Sequence, residues 1–417
     1  MPPGSHDMLT EKEKLDRLTE LGIELNQVND LDILMEQVLT EARRFVNAEA
    51  GSIYIRDGDL LRFSYTQNDS LQEALPEGKK LIYSTFTLPI NEETIAGYVA
   101  ATGLILNLPD AYKIESTRPY QFNQKFDEAS GYTTRSILTI PLQTSGGDII
   151  GVLQIINAQD QTRRLISFSR NDEKMMLHFA SIAAVALERA KLTRSILLRM
   201  IRMAEMRDPK ETGAHVNRVA GYAVEIYEPW ARLKGLDPKE IYKNRDILRM
   251  AAILHDVGKV AISDLILKKP EQLSNEEFEI MKQHTVHGAR LFMDRQSDFD
   301  EAARVVALNH HERWDGNGYP GHVDVGDGKA VKGFTKPGGA PRGKKAEEIP
   351  IFGRVVALAD VYDALSSKRS YKEPWEEPKV LALLRREAGA HFDPQVVEIF
   401  LSRLDIIRSI QMRYADE

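Results

Sequence analysis

Hydrophobic and polar positions divide the chain into three stretches of different rhythm. In the first, apolar residues recur on helical spacing at Leu15, Leu18, Leu21, Ile23 and Leu25, then at Ile33, Leu34, Val38 and Leu39. This predicts helix over 9–45, with a break or N-cap at Asn29-Asp30. Ala50–Ile55 and Leu60–Tyr65 read as two strands joined by an Asp57-Gly58 turn, and Arg135–Leu142 and Ile149–Asn157 as a second pair around Gly146-Gly147. Strands flanked by helices predict an α+β domain on an antiparallel sheet over 9–170.

The second stretch, 171–206, contains neither Pro nor Gly. Phe179, Ile182, Ala183, Ala186, Leu187, Ala190, Leu197, Ile201 and Ala204 form an apolar stripe. One helix of that length, ~54 Å at 1.5 Å per residue, connects domains or pairs with a partner helix. The expectation is a homodimer with this stripe as its seam and Leu187 and Leu197 inside it. The third stretch, 207–417, is all-helical in pattern, with helical runs from Val216–Lys234 to Glu377–Glu387. Residues 321–343 interrupt it with seven Gly and two Pro and read as an exposed loop.

Composition narrows the function. The chain of 417 residues is 42% hydrophobic and 28% charged, which suits folded domains. It has no Cys, which excludes thiolate metal sites and cysteine nucleophiles. A net charge of −7 argues against nucleic acid as partner. No apolar run is long enough to span a membrane, and the expected location is the cytoplasm.

Chemistry-bearing residues concentrate in the third stretch. Six of the ten His lie between His215 and His311. His255-Asp256 and Asp360 adjoin strongly apolar runs, where unpaired charge is costly and bound cations would relieve it. The candidate ligands are Glu211, His215, His255, Asp256, His284, His310, His311 and Asp360. Eight nitrogen and oxygen ligands exceed one tetrahedral zinc and suit two or three divalent transition-metal ions.

His255-Asp256, with His215 upstream and Asp360 downstream, resembles the HD phosphohydrolase superfamily. The segment His310-His311-Glu312 through Asp315-Gly316-Asn317-Gly318-Tyr319-Pro320 resembles the motif that defines the HD-GYP family, whose members are cyclic di-GMP phosphodiesterases. The likeness spans about Ile201 to Phe400. It implies hydrolysis of cyclic di-GMP to pGpG or GMP by a metal-bridging hydroxide, with the seven other candidates as ligands, Asp256 as bridge and Glu211 completing a three-metal site. Three iron ions are the expected cofactor, with manganese as the alternative. The resemblance also places Lys259 at the scissile phosphate, Arg369 and Lys372 on the ligand, and Asp315, Gly318, Tyr319 and Pro320 in a loop beside the site. Two alternatives are a cyclic-dinucleotide-binding scaffold with little turnover and a phosphodiesterase for another cyclic dinucleotide such as cyclic GMP-AMP. About twenty residues, Gly321–Pro341, are inserted after that motif; with Lys329, Lys332 and Lys336 they suggest a mobile lid, or else a surface excursion.

The first stretch resembles a GAF sensory domain, on Gly97–Gly103, Asn107–Tyr112, Phe126-Asp127 and Gly131–Leu138. It is similar to the GAF domains of cyclic-nucleotide phosphodiesterases in Asn157, Phe168, Asp172 and Glu173, but Ala158 stands where those carry Lys. The resemblance implies a small ligand, such as a cyclic nucleotide, controlling the C-terminal half.

Overall fold

A computed structural model describes residues 11–76, 79–82, 86–205, 213–367 and 374–415. Glu211, Arg369 and Lys372 lie outside the described residues. The chain divides into two compact units, Met1–Arg194 and Ser195–Glu417.

The N-terminal unit runs α1 (Glu11–Gln27), α2 (Leu31–Phe45), β1 (Ala48–Asp57), β2 (Leu60–Asn68), α3 (Asp69–Glu73), β3 (Thr87–Pro89), α4 (Ile95–Thr102), β4 (Leu106–Leu108), α5 (Lys125–Ser130), β5 (Ile137–Gln143), β6 (Ile149–Gln159) and β7 (Leu165–Ile166). The expected break between the first two helices is there, and Asp30 caps α2 by accepting from Asp32 N and Ile33 N. The strands form one antiparallel sheet in the order β3-β2-β1-β6-β5-β4, with β7 on β6. Tyr54, Phe63 and Val152 pack with Ala96, Val99 and Ala100 of α4. Leu39 of α2 lies against Gly51 of β1, where any Cβ would stand 2.9 Å from it.

Helix α6 runs unbroken over Arg170–Glu205, 36 residues. Its apolar stripe differs from expectation. Phe179, Ala183, Ala186, Leu187 and Ala190 are at most 1% exposed, because the unit's own helices cover them. Phe179 meets Phe45 at 6.2 Å, and Arg189 Nη1 donates to Asn29 Oδ1 at 2.7 Å. Leu197 and Ile201 belong to the core of the second unit. A charge at Leu187 would therefore disrupt a domain core rather than separate a pair of chains. The apolar side chains that α6 leaves exposed are Leu177, Val185, Leu192, Ile196 and Met200.

The C-terminal unit is helical: α7 (Gly213–Leu233), α8 (Pro238–Ile253), α9 (Asp264–Leu267), α10 (Asn275–Lys282), α11 (His284–Arg290), α12 (Asp298–Asn309), α13 (Ile351–Ser366), α14 (Glu377–Arg386), α15 (Pro394–Ser402) and α16 (Leu404–Arg413). Tyr222 of α7, Tyr362 of α13 and Phe400 of α15 make successive edge-to-face contacts at 5.4 and 4.8 Å through its core. Residues 321–341 form no independent core, as the glycine content predicts, but they are tied down rather than loose. His322 N donates to Arg342 O (2.9 Å), Arg342 N to Phe334 O (2.7 Å) and Arg290 Nε to Val325 O (2.8 Å). Val323 and Val325 pack on Val286, Ala289 and Leu308. This anchoring favours the surface excursion over the lid.

One close approach sets the geometry of everything that follows. A 3-10 turn, Val257–Ala261, follows α8 and lies against the start of α11. A Cβ on Gly258 would stand 1.9 Å from His284 O and 2.3 Å from Gly288 N, so only glycine allows the two backbones to touch. Gly258→Ala is expected to cost about 1–3 kcal/mol of stability by overpacking, read as a lower melting temperature; an unchanged melting temperature would mean the backbones separate without cost.

Candidate metal centre

The ends of helices build the site. His255 and Asp256 follow α8, His284 opens α11, and His310 and His311 follow α12. The last carbonyls of a helix have no partner within it. Here they take up imidazole hydrogens. His255 Nδ1 donates to Ala252 O of α8 (2.9 Å), His284 Nδ1 to Met281 O of α10 (2.7 Å) and His310 Nδ1 to Ala307 O of α12 (3.0 Å). A carbonyl only accepts, so each Nδ1 carries the hydrogen and each Nε2 keeps its lone pair.

Those lone pairs converge. The ligand atoms of Asp256, His284, His310 and His311 lie within 4.8 Å of one another, and so do those of His215, His255 and Asp360. Asp256 joins the two groups. Its Oδ1 lies 3.1 Å from His284 Nε2 and 3.5 Å from His310 Nε2, while its Oδ2 lies 3.3 Å from His255 Nε2 and 2.8 Å from Lys259 Nζ. His215 Nε2 is 3.5 Å from Asp360 Oδ1.

The electrostatics suit a cation. His284 Nε2 and His310 Nε2 face each other at 3.5 Å, an arrangement of two acceptors that no shared hydrogen relieves. Burial holds His310 and His311 below the usual imidazole range, so both present the neutral form that ligates metals. Burial pushes the Asp256 carboxyl up, but the Lys259 charge and the His255 and His284 rings beside it hold it well below the usual carboxylate range. Neutral imidazoles with deprotonated carboxylates are a donor set for divalent transition metals, and the residues present fit such ions.

Three family models match the chain: a GAF domain over residues 30–187, an HD domain over residues 212–365 and a second HD-domain model over residues 336–396. The chain joins a GAF domain to an HD domain. It is 38% identical over 207 residues to the 3'3'-cGAMP-specific phosphodiesterase 2 of Vibrio cholerae, covering 50% of this chain and 34% of that protein. It is 37% identical over 215 residues to a cyclic di-GMP phosphodiesterase of Thermotoga maritima, covering 52% and 50%. A cGMP-specific 3',5'-cyclic phosphodiesterase of Drosophila mojavensis is 26% identical over 286 residues, 66% of this chain and 23% of that protein. The chain thus spans half or less of the length of these relatives.

Asp315, Gly318, Tyr319 and Pro320, also expected at the site, lie in the loop after His311. Tyr319 stacks on His311, ring centroids 4.8 Å apart, and its peptide bond to Pro320 is cis. Gly318 packs so tightly that a Cβ would stand 2.3 Å from Arg313 N. Burial raises the Asp315 carboxyl, but bonds from Arg313 Nη2 (2.9 Å) and Asn317 N (2.9 Å) bring it down to about 2. The Asp315 side chain therefore organises the loop. Of the GAF signature residues, Asn157 donates to Tyr132 Oη, Glu49 Oε2 and Thr133 O, and Asp172 caps α6 through Ser169. Ala158 is buried with its N–H on Ser136 Oγ, so these positions tie strands to helix within the GAF domain.

Sequence reasoning missed Asp363 and Glu312. Asp363 Oδ2 accepts from His215 Nδ1 at 2.8 Å, and both its oxygens accept from Arg218 (2.6 and 2.9 Å). Arg218 Nη1 in turn donates to Tyr414 O at 2.7 Å. The available signal was position: Asp363 is three residues after Asp360 on one apolar helix, hence on the same face. Glu312 accepts from Gly321 N (2.6 Å) and Lys344 N (3.1 Å), pinning both ends of the inserted segment. A carboxylate behind a ligating imidazole fixes its tautomer and orientation. Asp363→Ala is expected to weaken metal binding at the His215 position about 10–100-fold, with Asp363→Asn between; metal titration of the purified protein checks this, and wild-type affinity in both variants would count against it.

Proposed function

We propose that the HD domain is a metal-dependent phosphodiesterase that hydrolyses cyclic di-GMP to pGpG or GMP, under control of the GAF domain. The observation that carries this reading is the convergence of imidazole Nε2 lone pairs on the two faces of one buried carboxylate. The activities for which the Vibrio and Thermotoga relatives are named support the substrate class. His215, His255, Asp256, His284, His310, His311 and Asp360 would hold the ions, with Asp256 shared between sites and Glu211 completing a third. Three iron ions are the proposed complement, with manganese as the alternative. Such ions, when bound, activate water and neutralise charge on the phosphoryl group.

The chain's own groups do the rest. Lys259, whose Nζ lies 2.8 Å from Asp256 Oδ2, is proposed to meet a phosphoryl oxygen as charge develops in the transition state. Arg369 and Lys372 are proposed to bind the ligand's phosphates, and Gly318, Tyr319 and Pro320 to shape the wall of the site. The named activity of one Vibrio relative supports cyclic GMP-AMP as a second substrate. A cavity of about 740 Å³ in the GAF domain is lined by Arg43, Gln67, Asp69 and Arg163 among others. It is the place proposed for a regulatory small ligand.

Metal analysis and cyclic di-GMP turnover on one anaerobically purified sample test the enzyme. Asp256→Ala is expected to lose metal and turnover together, and Lys259→Ala to keep metal but slow hydrolysis about 10²-fold or more. Glu211→Ala should remove one of three ions; two or fewer in loaded wild type would reject the three-metal reading. Normal turnover by Lys259→Ala would remove it from the reaction.

We propose a homodimer along the exposed face of α6 instead of its buried stripe. Leu192, Ile196 and Met200 are 59%, 48% and 45% exposed, on a helix whose other side is already covered. Leu192→Glu with Ile196→Glu is expected to give monomers by sedimentation at micromolar concentration with the melting temperature kept; a monomeric wild type would refute the dimer.

A further inference from the structure

Helix α10 is fixed on one side and open on the other. Ser274 and Glu277 form a capping box at its start, and Lys269 Nζ binds Glu277 Oε2 at 2.7 Å. Met281 packs on the cluster of Ile262, Ile266 and Leu267. Phe278 and Lys282, four residues apart and so on one face, point elsewhere. Phe278 is 45% exposed, and its ring meets the Tyr319 ring edge-on at 6.1 Å and 80°. Lys282 Nζ stands 5.0 Å from the centroid of Phe278 and 5.6 Å from that of Tyr319, and it also pairs with the exposed Glu279 at 2.6 Å.

A single exposed Phe is ordinary on a protein surface. This one ends a row. His311, a candidate ligand, stacks on Tyr319, Tyr319 meets Phe278, and a cation spans the two outer rings. The row leads from the metal centre to solvent. A ligand anchored by one phosphate at the centre would lay its next planar group along it. Aromatic faces beside a cation are what nucleobases and their phosphates bind. We infer that Phe278 and Lys282 form a subsite for one nucleobase of the cyclic dinucleotide, Phe278 supplying the stacking face and Lys282 the charge. This rests on the phosphodiesterase reading above.

The test compares kcat/KM of the metal-loaded full chain on cyclic di-GMP and on bis(p-nitrophenyl) phosphate, which carries no nucleobase. Phe278→Ala is expected to lower the ratio of the two about tenfold, in the range for loss of one base stack. Phe278→Tyr should restore it, and Lys282→Gln should raise KM for the dinucleotide and weaken its salt dependence. Metal content should match wild type in all three. Equal losses on both substrates, or no loss on the dinucleotide, would overturn the subsite. A wild type that cleaves bis(p-nitrophenyl) phosphate but neither cyclic di-GMP nor cyclic GMP-AMP overturns the substrate reading and the subsite with it, and that control separates the two failures.

Discussion

A carboxylate buried among imidazoles is the constraint on which the rest of the HD domain depends. Asp256 is 8% exposed and His255, His284 and His310 at most 2%. Placing that much polarity in an apolar interior is costly unless each group is satisfied. The fold meets the condition with helix ends. Three helices stop where a carbonyl of the last turn can accept an imidazole hydrogen, which turns the three Nε2 atoms inward. Helix termination and ligand geometry are thus one event at Ala252, Met281 and Ala307. The same placement leaves acceptor facing acceptor at the centre, an arrangement that is stable with a cation between.

Around that centre the supports are backbone contacts and buried ion pairs. Gly258 lets the turn bearing Lys259 touch the first residues of α11. Asp363 holds His215 and is itself held by Arg218, whose other branch reaches the carbonyl of Tyr414 near the end of the chain. Burial would raise Asp363, but His215 and Arg218 bring it down to about 2, so it stays ionised wherever the protein is folded near neutrality. Removing one partner of such a set leaves a buried charge exposed to the full desolvation cost. The side chains of residues 215, 218 and 363 and the carbonyl of residue 414 are therefore coupled, although they lie far apart in sequence.

Helix α6 shows why an apolar stripe alone does not identify an interface. Its residues from Phe179 to Ala190 have the periodicity of a seam, yet they are consumed by α1 and α2 within the GAF domain. What remains exposed, from Leu177 to Met200, is a weaker pattern broken by charged residues. Periodicity reports that a face is buried; it does not say against what.

The sequence by itself determined the element types, the antiparallel α+β character of the first half, the break at Asp30 and the residues able to ligate metal. Those follow from local spacing, from capping chemistry and from His and Asp set beside apolar runs, all of which are written along the chain. Tertiary structure decided which side chains meet. Asp256 has two oxygens facing two histidine groups because α8, α10 and α12 end at one point. Asp363 becomes a support because α13 lies along α7. Asp315, placed by its motif among ligand-binding residues, turns its carboxylate onto Arg313 and its own loop. The inserted segment, which composition alone leaves loose, is pinned by Glu312 and Arg290. Each of these depends on distances between residues tens to hundreds of positions apart, and such distances are set by packing rather than by any local pattern.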